Sequence, residues 1–148
     1  MTKTSNSPIF KLVEDNEKVV RDKLRTKNKE QLMLFKQDLD STTLKEATKN
    51  RHIQNVTTYL QLYVSGRLAH EIDEDATDVS GYLGSFYIYD CMFSSVSGLK
   101  SNIVSIKKFY KSMLDHGIID KEFYDEVMAL FSEFKDSWIK SCRKYNRF

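Results

Sequence analysis

Apolar residues recur at helical spacing along most of the chain, and interruptions of that spacing divide it into five predicted helices. The first helix extends from about Ile9 to Leu39 and is rich in charge. Its expected inward positions are Val13, Val20, Leu24, Leu32 and Phe35. Residues 1–8 are polar and end at Pro8, so we expect them to form a flexible arm.

A second helix follows the segment "DSTTLKE" and is expected to reach about Val64. Ser41 or Thr42 would cap its N-terminus, and Glu46 lies close to the position that a capping box requires. Residues 65–78 form an acidic connection. A shorter apolar helix is then predicted from about Val79 to Met92, although two glycines interrupt it.

The fourth predicted helix has Ser94 or Ser95 as its cap and Gly117 as its stop. Asp120 would cap the fifth helix, which extends from Lys121 to about Lys144. The pattern therefore predicts an all-α protein, a compact bundle of four to five helices that forms one domain over residues 9–148. Only one proline and five glycines in 148 residues agree with that class.

The composition of the chain argues against membrane-spanning, exported and metal-binding proteins. No apolar run is long enough to cross a bilayer and no N-terminal signal is present, so we expect a cytoplasmic protein without a membrane partner. Cys91 and Cys142 have no companion at metal-binding spacing and are interpreted as reduced thiols. No metal or other cofactor is expected. The acidic segment 71–78 lacks the glycine and closing glutamate of a calcium-binding loop.

The net charge of +2 conceals a strong separation of charges. Residues 21–29 carry five basic side chains and one acid, whereas residues 115–136 carry seven acids and two lysines. A chain of this kind would bind a polyanion with one face only.

The fourth helix combines a buried face with a row of lysines. Its core face consists of Val96, Leu99, Ile103, Ile106, Tyr110 and Met113. A neighbouring stripe contains Ser97, Lys100, Lys107 and Lys111, with Lys108 beside it. A helix in an ordinary bundle usually mixes signs at i,i+4, whereas a row of one sign is favourable against phosphates.

The second helix has a similar arrangement, because basic and polar residues crowd its N-terminal half. These are Lys45, Thr48, Lys49, Arg51 and His52. Two basic helix starts beside a shared core would together grip a duplex. The alternative for each lysine row is an ordinary solvated face, and His52 alone is better explained as a surface histidine than as a catalytic one.

Two segments resemble the N-terminal core-binding domain, a SAM-like domain, of tyrosine recombinases of the phage-integrase family. They are "LKEATKNRHIQNVTTYLQLYV" at 44–64 and "SSVSGLKSNIVSIKKFYKSMLDHGII" at 94–119, and the resemblance covers about residues 42–130. It implies a helical clamp on duplex DNA that acts in site-specific recombination or integration. Carried over by position, the DNA-contacting residues would be Lys45, Thr48, Lys49, His52, Ser97, Lys100, Ser101 and Lys108. The helical pattern adds Lys107 and Lys111 as phosphate partners.

The same resemblance implies that the chain is not an enzyme by itself. Family members carry a separate catalytic domain with two arginines, a lysine, histidines in an HxxR segment and a nucleophilic tyrosine. None of the three histidines here has an arginine three residues later. We therefore expect a DNA-binding module with duplex DNA as its partner, and a recombinase or another protein subunit as a second one. The alternative function is a helical protein-interaction or regulatory bundle. Its motivation is the charge separation, and the sequence leaves the oligomeric state open.

Overall fold

Five helices account for most of the computed structural model, which describes residues 7–147. They are α1 (Pro8–Asp40), α2 (Glu46–Thr58), α3 (Thr77–Gly81), α4 (Val96–Asp115) and α5 (Lys121–Tyr145). α2 continues as a π-helical segment, Tyr59–Val64, and α3 continues as another, Tyr82–Asp90. No strand occurs within residues 7–147, so the all-α prediction is confirmed. None of these helices combines the length and apolar character that a bilayer span requires.

α4 occupies the centre of the bundle and packs against α1, α2, α5 and the second π-helical segment. Five of its six predicted core residues are buried, and Val96 packs at the edge of the core. The buried five are Leu99, Ile103, Ile106, Tyr110 and Met113. The predicted face is therefore correct, because a regular 3.6-residue period leaves α4 only one apolar side.

α1 packs on the bundle with only its second half. Leu24 and Phe35 are buried, whereas every residue from Pro8 to Lys23 is exposed. The prediction that Val13 and Val20 point into the core is wrong, since they are 51% and 47% exposed. The reason is length. A helix of 33 residues spans about 50 Å at about 1.5 Å per residue, which is longer than the layer it packs on.

The prediction that the arm extends to Pro8 is wrong. The side chain of Ser7 caps α1 by accepting a hydrogen bond from the backbone N–H of Phe10 at 3.0 Å, and Pro8 is the first residue of the helix. Proline suits that position because its missing N–H has no intrahelical partner there. Residues 1–6 of the predicted arm lie outside the described residues.

The predicted N-cap of α2 is also wrong. Ser41 Oγ donates to the carbonyl of Asp38 at 2.7 Å, and Thr42 Oγ1 donates to the carbonyl of Leu39 at 2.6 Å. Both hydroxyls therefore close α1 rather than open α2. Lys45 occupies the cap position of α2 and makes no side-chain capping bond. Serine and threonine bond to nearby backbone groups at either end of a helix, so their presence alone did not fix which end they serve.

The third predicted helix is present from Thr77 to Asp90, and its two glycines have a packing role. A Cβ atom on Gly81 would lie 2.2 Å from the hydroxyl oxygen of Tyr63. A Cβ atom on Gly84 would lie 2.7 Å from Nε1 of Trp138. These glycines allow aromatic rings to approach the backbone closely, and they do not end the helix.

The ends of α4 and α5 agree with the sequence pattern. Ser95 Oγ accepts from the N–H of Gly98 at 3.0 Å, and Asp120 Oδ1 accepts from the N–H of Phe123 at 2.8 Å. Gly117 follows α4 with φ of +72°. The N–H of Ile118 bonds to the carbonyl of Met113 at 2.9 Å, which completes a Schellman motif.

Candidate nucleic-acid interface on α2 and α4

A network of polar side chains joins α2 to α4. His52 Nδ1 lies 2.7 Å from Ser105 Oγ. Asn55 Nδ2 donates to Ser101 Oγ and to Ser105 Oγ, each at 3.0 Å. Because Ser105 is fully buried, these bonds form in a low-dielectric setting and restrict the rotation of one helix against the other. We call the line of contact between the two helices the α2–α4 seam.

The two helices run in opposite directions along this seam. His52 meets Ser105, while Asn55, one turn later in α2, meets Ser101, one turn earlier in α4. The start of α2 therefore lies beside the end of α4. The expectation that the two basic N-terminal halves stand side by side is wrong, since the antiparallel order places the N-terminal half of α2 beside the C-terminal half of α4.

His52 is a buried histidine, not the surface histidine that the sequence suggested. Its side chain is 6% exposed and lies in the α2–α4 seam. Burial lowers the pKa of His52, and the positive charges of Lys108 and Arg51 lower it further. The imidazole is therefore neutral near pH 7. It supports the seam and does not supply a positive charge to a ligand.

Four exposed cations, counted on α2 with its cap residue and on α4, have no carboxylate within 4.0 Å among residues 7–147. They are Lys45 and Arg51 of the α2 side and Lys100 and Lys108 of α4. All four are exposed. Arg51 was seen in the basic cluster of α2 but was absent from the residues carried over by position. The structure adds it because Arg51 is exposed and directly precedes His52, which lies in the α2–α4 seam.

Two other predicted lysines already have carboxylate partners. Lys49 is largely buried and lies 3.8 Å from Asp40 and 3.6 Å from Glu46. Lys111 pairs with Asp115 at 2.6 Å on the surface of α4. These pairs reduce the charge that either lysine offers to a phosphate.

Lys107 points towards α5. Its ammonium lies 5.5 Å from the centre of the Phe131 ring, within the range of a cation–π contact. Lys107 therefore faces α5 rather than the α2–α4 seam.

The three predicted hydroxyl residues occupy different settings. Ser97 is exposed in the first turn of α4, and Thr48 is half-buried one turn before His52. Ser101 is half-buried and accepts the hydrogen bond from Asn55, so it belongs to the seam. Asn55 carries no charge and lies at no motif position, which is why sequence reasoning missed it.

The remaining titratable groups do not form a second site beside the seam. His70 Nδ1 lies 2.8 Å from Oδ2 of Asp78, and His116 Nε2 lies 3.0 Å from Oδ1 of Asp38. Each of these two histidines is therefore tied to an acid of another segment. In the part of the chain that the structure describes, no group of three or more His, Cys, Asp or Glu residues has metal-binding geometry.

Comparisons of the chain with protein-family models, with curated proteins and with solved structures give no match. The resemblance to recombinase core-binding domains therefore stays a prediction that rests on the two quoted segments. The geometry of the α2–α4 seam is independent of it.

Proposed function

We propose that the chain binds duplex DNA with the surface of the α2–α4 seam, as a non-catalytic module of the recombinase core-binding type. The observation that carries the proposal is the contact of His52 with Ser105, because it brings two exposed cations without a carboxylate within 4.0 Å to the same pair of helices: Arg51, next to His52, and Lys108, three residues after Ser105. Lys45, at the start of α2, and Lys100, near the start of α4, are also exposed and add positive charge to these two helices.

The physical basis of this binding is phosphate neutralisation. Exposed cations that lack internal partners lose no ion pair when they bind a phosphate, and they release the counterions condensed on the DNA. The rigid seam keeps Arg51 and Lys108 at a fixed separation, which lowers the entropy cost of placing both on one backbone. Thr48 and Ser97 add neutral hydrogen-bonding groups of the kind that position a protein on a duplex.

Fluorescence anisotropy with a labelled random duplex at several salt concentrations tests the proposal. The test variant is Arg51→Gln, Lys100→Gln and Lys108→Gln combined. Three lost phosphate contacts should weaken binding and reduce the slope of log K against log salt by about 2.7, at about 0.9 per contact. All three side chains are exposed, so circular dichroism should show an unchanged fold.

The matched control removes three exposed lysines from the opposite side of α4, on α5. Lys135→Gln, Lys140→Gln and Lys144→Gln cause the same change in net charge. This variant should keep most of the affinity and most of the salt slope. Equal losses in the two triple variants would mean that only overall charge matters, and unchanged binding by the first variant would overturn the proposal.

A second candidate function is a protein-interaction bundle, and one specific observation favours it. The first half of α1 projects from the bundle and exposes six large apolar side chains. Exposed apolar patches are typical of surfaces that contact another protein. Analytical ultracentrifugation without DNA separates the two functions, since an interaction bundle would associate with protein in the absence of any duplex.

A further inference from the structure

A cavity of about 300 Å³ lies between the middle of α1 and the end of the first π-helical segment, and we call it the α1 cavity. Arg21, Arg25 and Lys29 line it from α1. Ser65 and Gly66, which follow the π-helical segment, line it as well. In the described part of the chain, every charged side chain that lines this cavity is a cation. The α1 cavity is therefore a concave, positive surface that shares no residue with the α2–α4 seam.

The three cations of the α1 cavity follow one another at four-residue spacing, where like charges repel and destabilise a helix. Arg25 has an acidic neighbour in Asp22 at 3.4 Å, but both side chains are more than half exposed, so this pair is weak. Glu17 lies one turn before Arg21 and does not line the cavity. Among residues 7–147, neither Arg21 nor Lys29 has a carboxylate within 4.0 Å. An anion in the cavity would relieve this repulsion and would compete with one exposed ion pair.

A buried polar chain holds the two walls of the α1 cavity together. Asn28 Nδ2 donates to Ser65 Oγ at 2.9 Å, and Ser65 Oγ donates to the carbonyl of His70 at 3.1 Å. Asn28 and Ser65 both line the cavity and are 6% and 7% exposed. Because this contact fixes the middle of α1 against the end of the π-helical segment, the backbone that carries the cations is already in place before a ligand binds. Such preorganisation lowers the entropy cost of binding.

We propose that the α1 cavity is an anion-binding site that takes a phosphate group. Guanidinium groups donate paired hydrogen bonds to phosphate oxygens, and the ammonium of Lys29 adds a compact point charge. A phosphate group carries up to two negative charges and three terminal oxygens, which suits a set of three cations. Leu32 lines the same cavity and offers an apolar contact to the group that the phosphate is attached to. The proposal goes beyond duplex binding by the α2–α4 seam and does not depend on it.

Nuclear magnetic resonance of the ¹⁵N-labelled chain tests the site, with inorganic phosphate and pyrophosphate as the probes. The Nε–H signals of Arg21 and Arg25 and the amide signal of Gly66 should shift and reach saturation. General ionic screening instead shifts arginine signals everywhere without saturation, including those of Arg51 and Arg143. Shifts of that general kind alone would overturn the proposal.

The variant Arg21→Gln/Lys29→Gln tests the two cations that have no acidic partner. It should bind pyrophosphate about tenfold more weakly or worse, because two charge-assisted contacts are lost. The matched control is Lys11→Gln/Lys23→Gln, which makes the same change of charge on α1 at exposed residues that do not line the cavity. The control should keep the wild-type affinity. Equal losses in the two variants would mean that net charge alone attracts the probe, and the cavity site would then be wrong.

Duplex binding by Arg21→Gln/Lys29→Gln identifies where the phosphate comes from. If the backbone of DNA supplies it, the slope of log K against log salt should fall by about 1.8, at about 0.9 per contact. If a free phosphate-bearing molecule supplies it, duplex binding should stay unchanged while pyrophosphate binding is lost. The seam variant Arg51→Gln/Lys100→Gln/Lys108→Gln should still bind pyrophosphate, so failure of the seam and failure of the α1 cavity are read separately.

Discussion

His52 of α2 and Ser105 of α4 approach to 2.7 Å between Nδ1 and Oγ, and both residues are buried. A polar contact inside an otherwise apolar packing surface is satisfied at one relative position of the two helices only. The contact therefore determines how Arg51 and Lys108, one residue before His52 and three after Ser105, face the solvent together. The buried contact between His52 and Ser105 therefore helps to position the exposed residues of the candidate interface.

Replacing Ser105 with alanine should destabilise the fold. The substitution removes the hydroxyl that faces both His52 and Asn55 and leaves buried polar atoms without a partner, at a cost of about 1–3 kcal/mol. Urea unfolding followed by circular dichroism measures the loss. Ser132→Ala, an exposed serine on α5, is the control and should change stability little. Equal effects in the two variants would show that the seam contact contributes nothing.

The pKa values of His52 and His70 should lie on opposite sides of the ordinary histidine value of about 6.5. Burial and the charges of Lys108 and Arg51 lower the pKa of His52. The hydrogen bond to Asp78 raises the pKa of His70 against a smaller effect of burial. A titration of the imidazole signals by nuclear magnetic resonance measures which of the two pKa values is lower. The variants His52→Gln and His70→Gln assign the signals. The reverse order would show that the two environments are misplaced.

These two shifts have opposite effects on stability. Since the folded chain holds His52 neutral, the unfolded chain binds its proton first as pH falls through about 6.5, and stability decreases below that pH. His70 has a raised pKa, so its contribution is complete below 6.5 and is lost as pH rises through the folded value. His52→Gln should therefore flatten the acid side of the stability profile. A variant with the wild-type profile would contradict this assignment.

Most of the fold was predictable because helical periodicity and end signals are local. Ser95, Gly117 and Asp120 have the roles that their residue types suggest at helix ends. The exposure of the first half of α1 was not predictable, because Val13 and Val20 follow the same spacing as Leu24 and only tertiary contact distinguishes them. The opposite difficulty arose at Gly84, where the residue looked like a helix breaker but makes room for a ring from α5.

The candidate site was less predictable than the fold. A helical wheel places lysines on one face but does not show which carboxylates of other helices reach that face. It therefore could not predict that Lys49 of α2 pairs with Asp40 of α1. The direction of α2 against α4 was equally hidden. It depends on long-range packing, and it decides that the start of α2 lies beside the end of α4.

Substitution of Gly117 should weaken the end of α4. Its φ of +72° lies in the left-handed region, where an L side chain costs roughly 1–2 kcal/mol, and no atom lies within 4 Å of a Cβ placed there. Gly117→Ala should therefore lose about 1 kcal/mol through backbone strain alone, and Gly117→Asn should lose less because asparagine tolerates this conformation better. Thermal unfolding measures both. Equal stability of Gly117→Ala and wild type would contradict the strain argument.

Removal of the charge of Asp115 should strengthen duplex binding. Asp115 pairs with Lys111 at 2.6 Å, and both side chains are more than half exposed, so the pair opens to solvent readily. Asp115→Asn removes a carboxylate that repels phosphates and frees Lys111 for one more contact, which should steepen the salt slope by about 0.9. The effect should be largest at low salt, because the Debye length is about 10 Å at 0.1 M and shrinks as salt is added. Asp136→Asn on α5 makes the same charge change away from the α2–α4 seam. If both variants gain equally in the anisotropy assay, the seam has no special role; a gain confined to Asp115→Asn places the duplex against the end of α4.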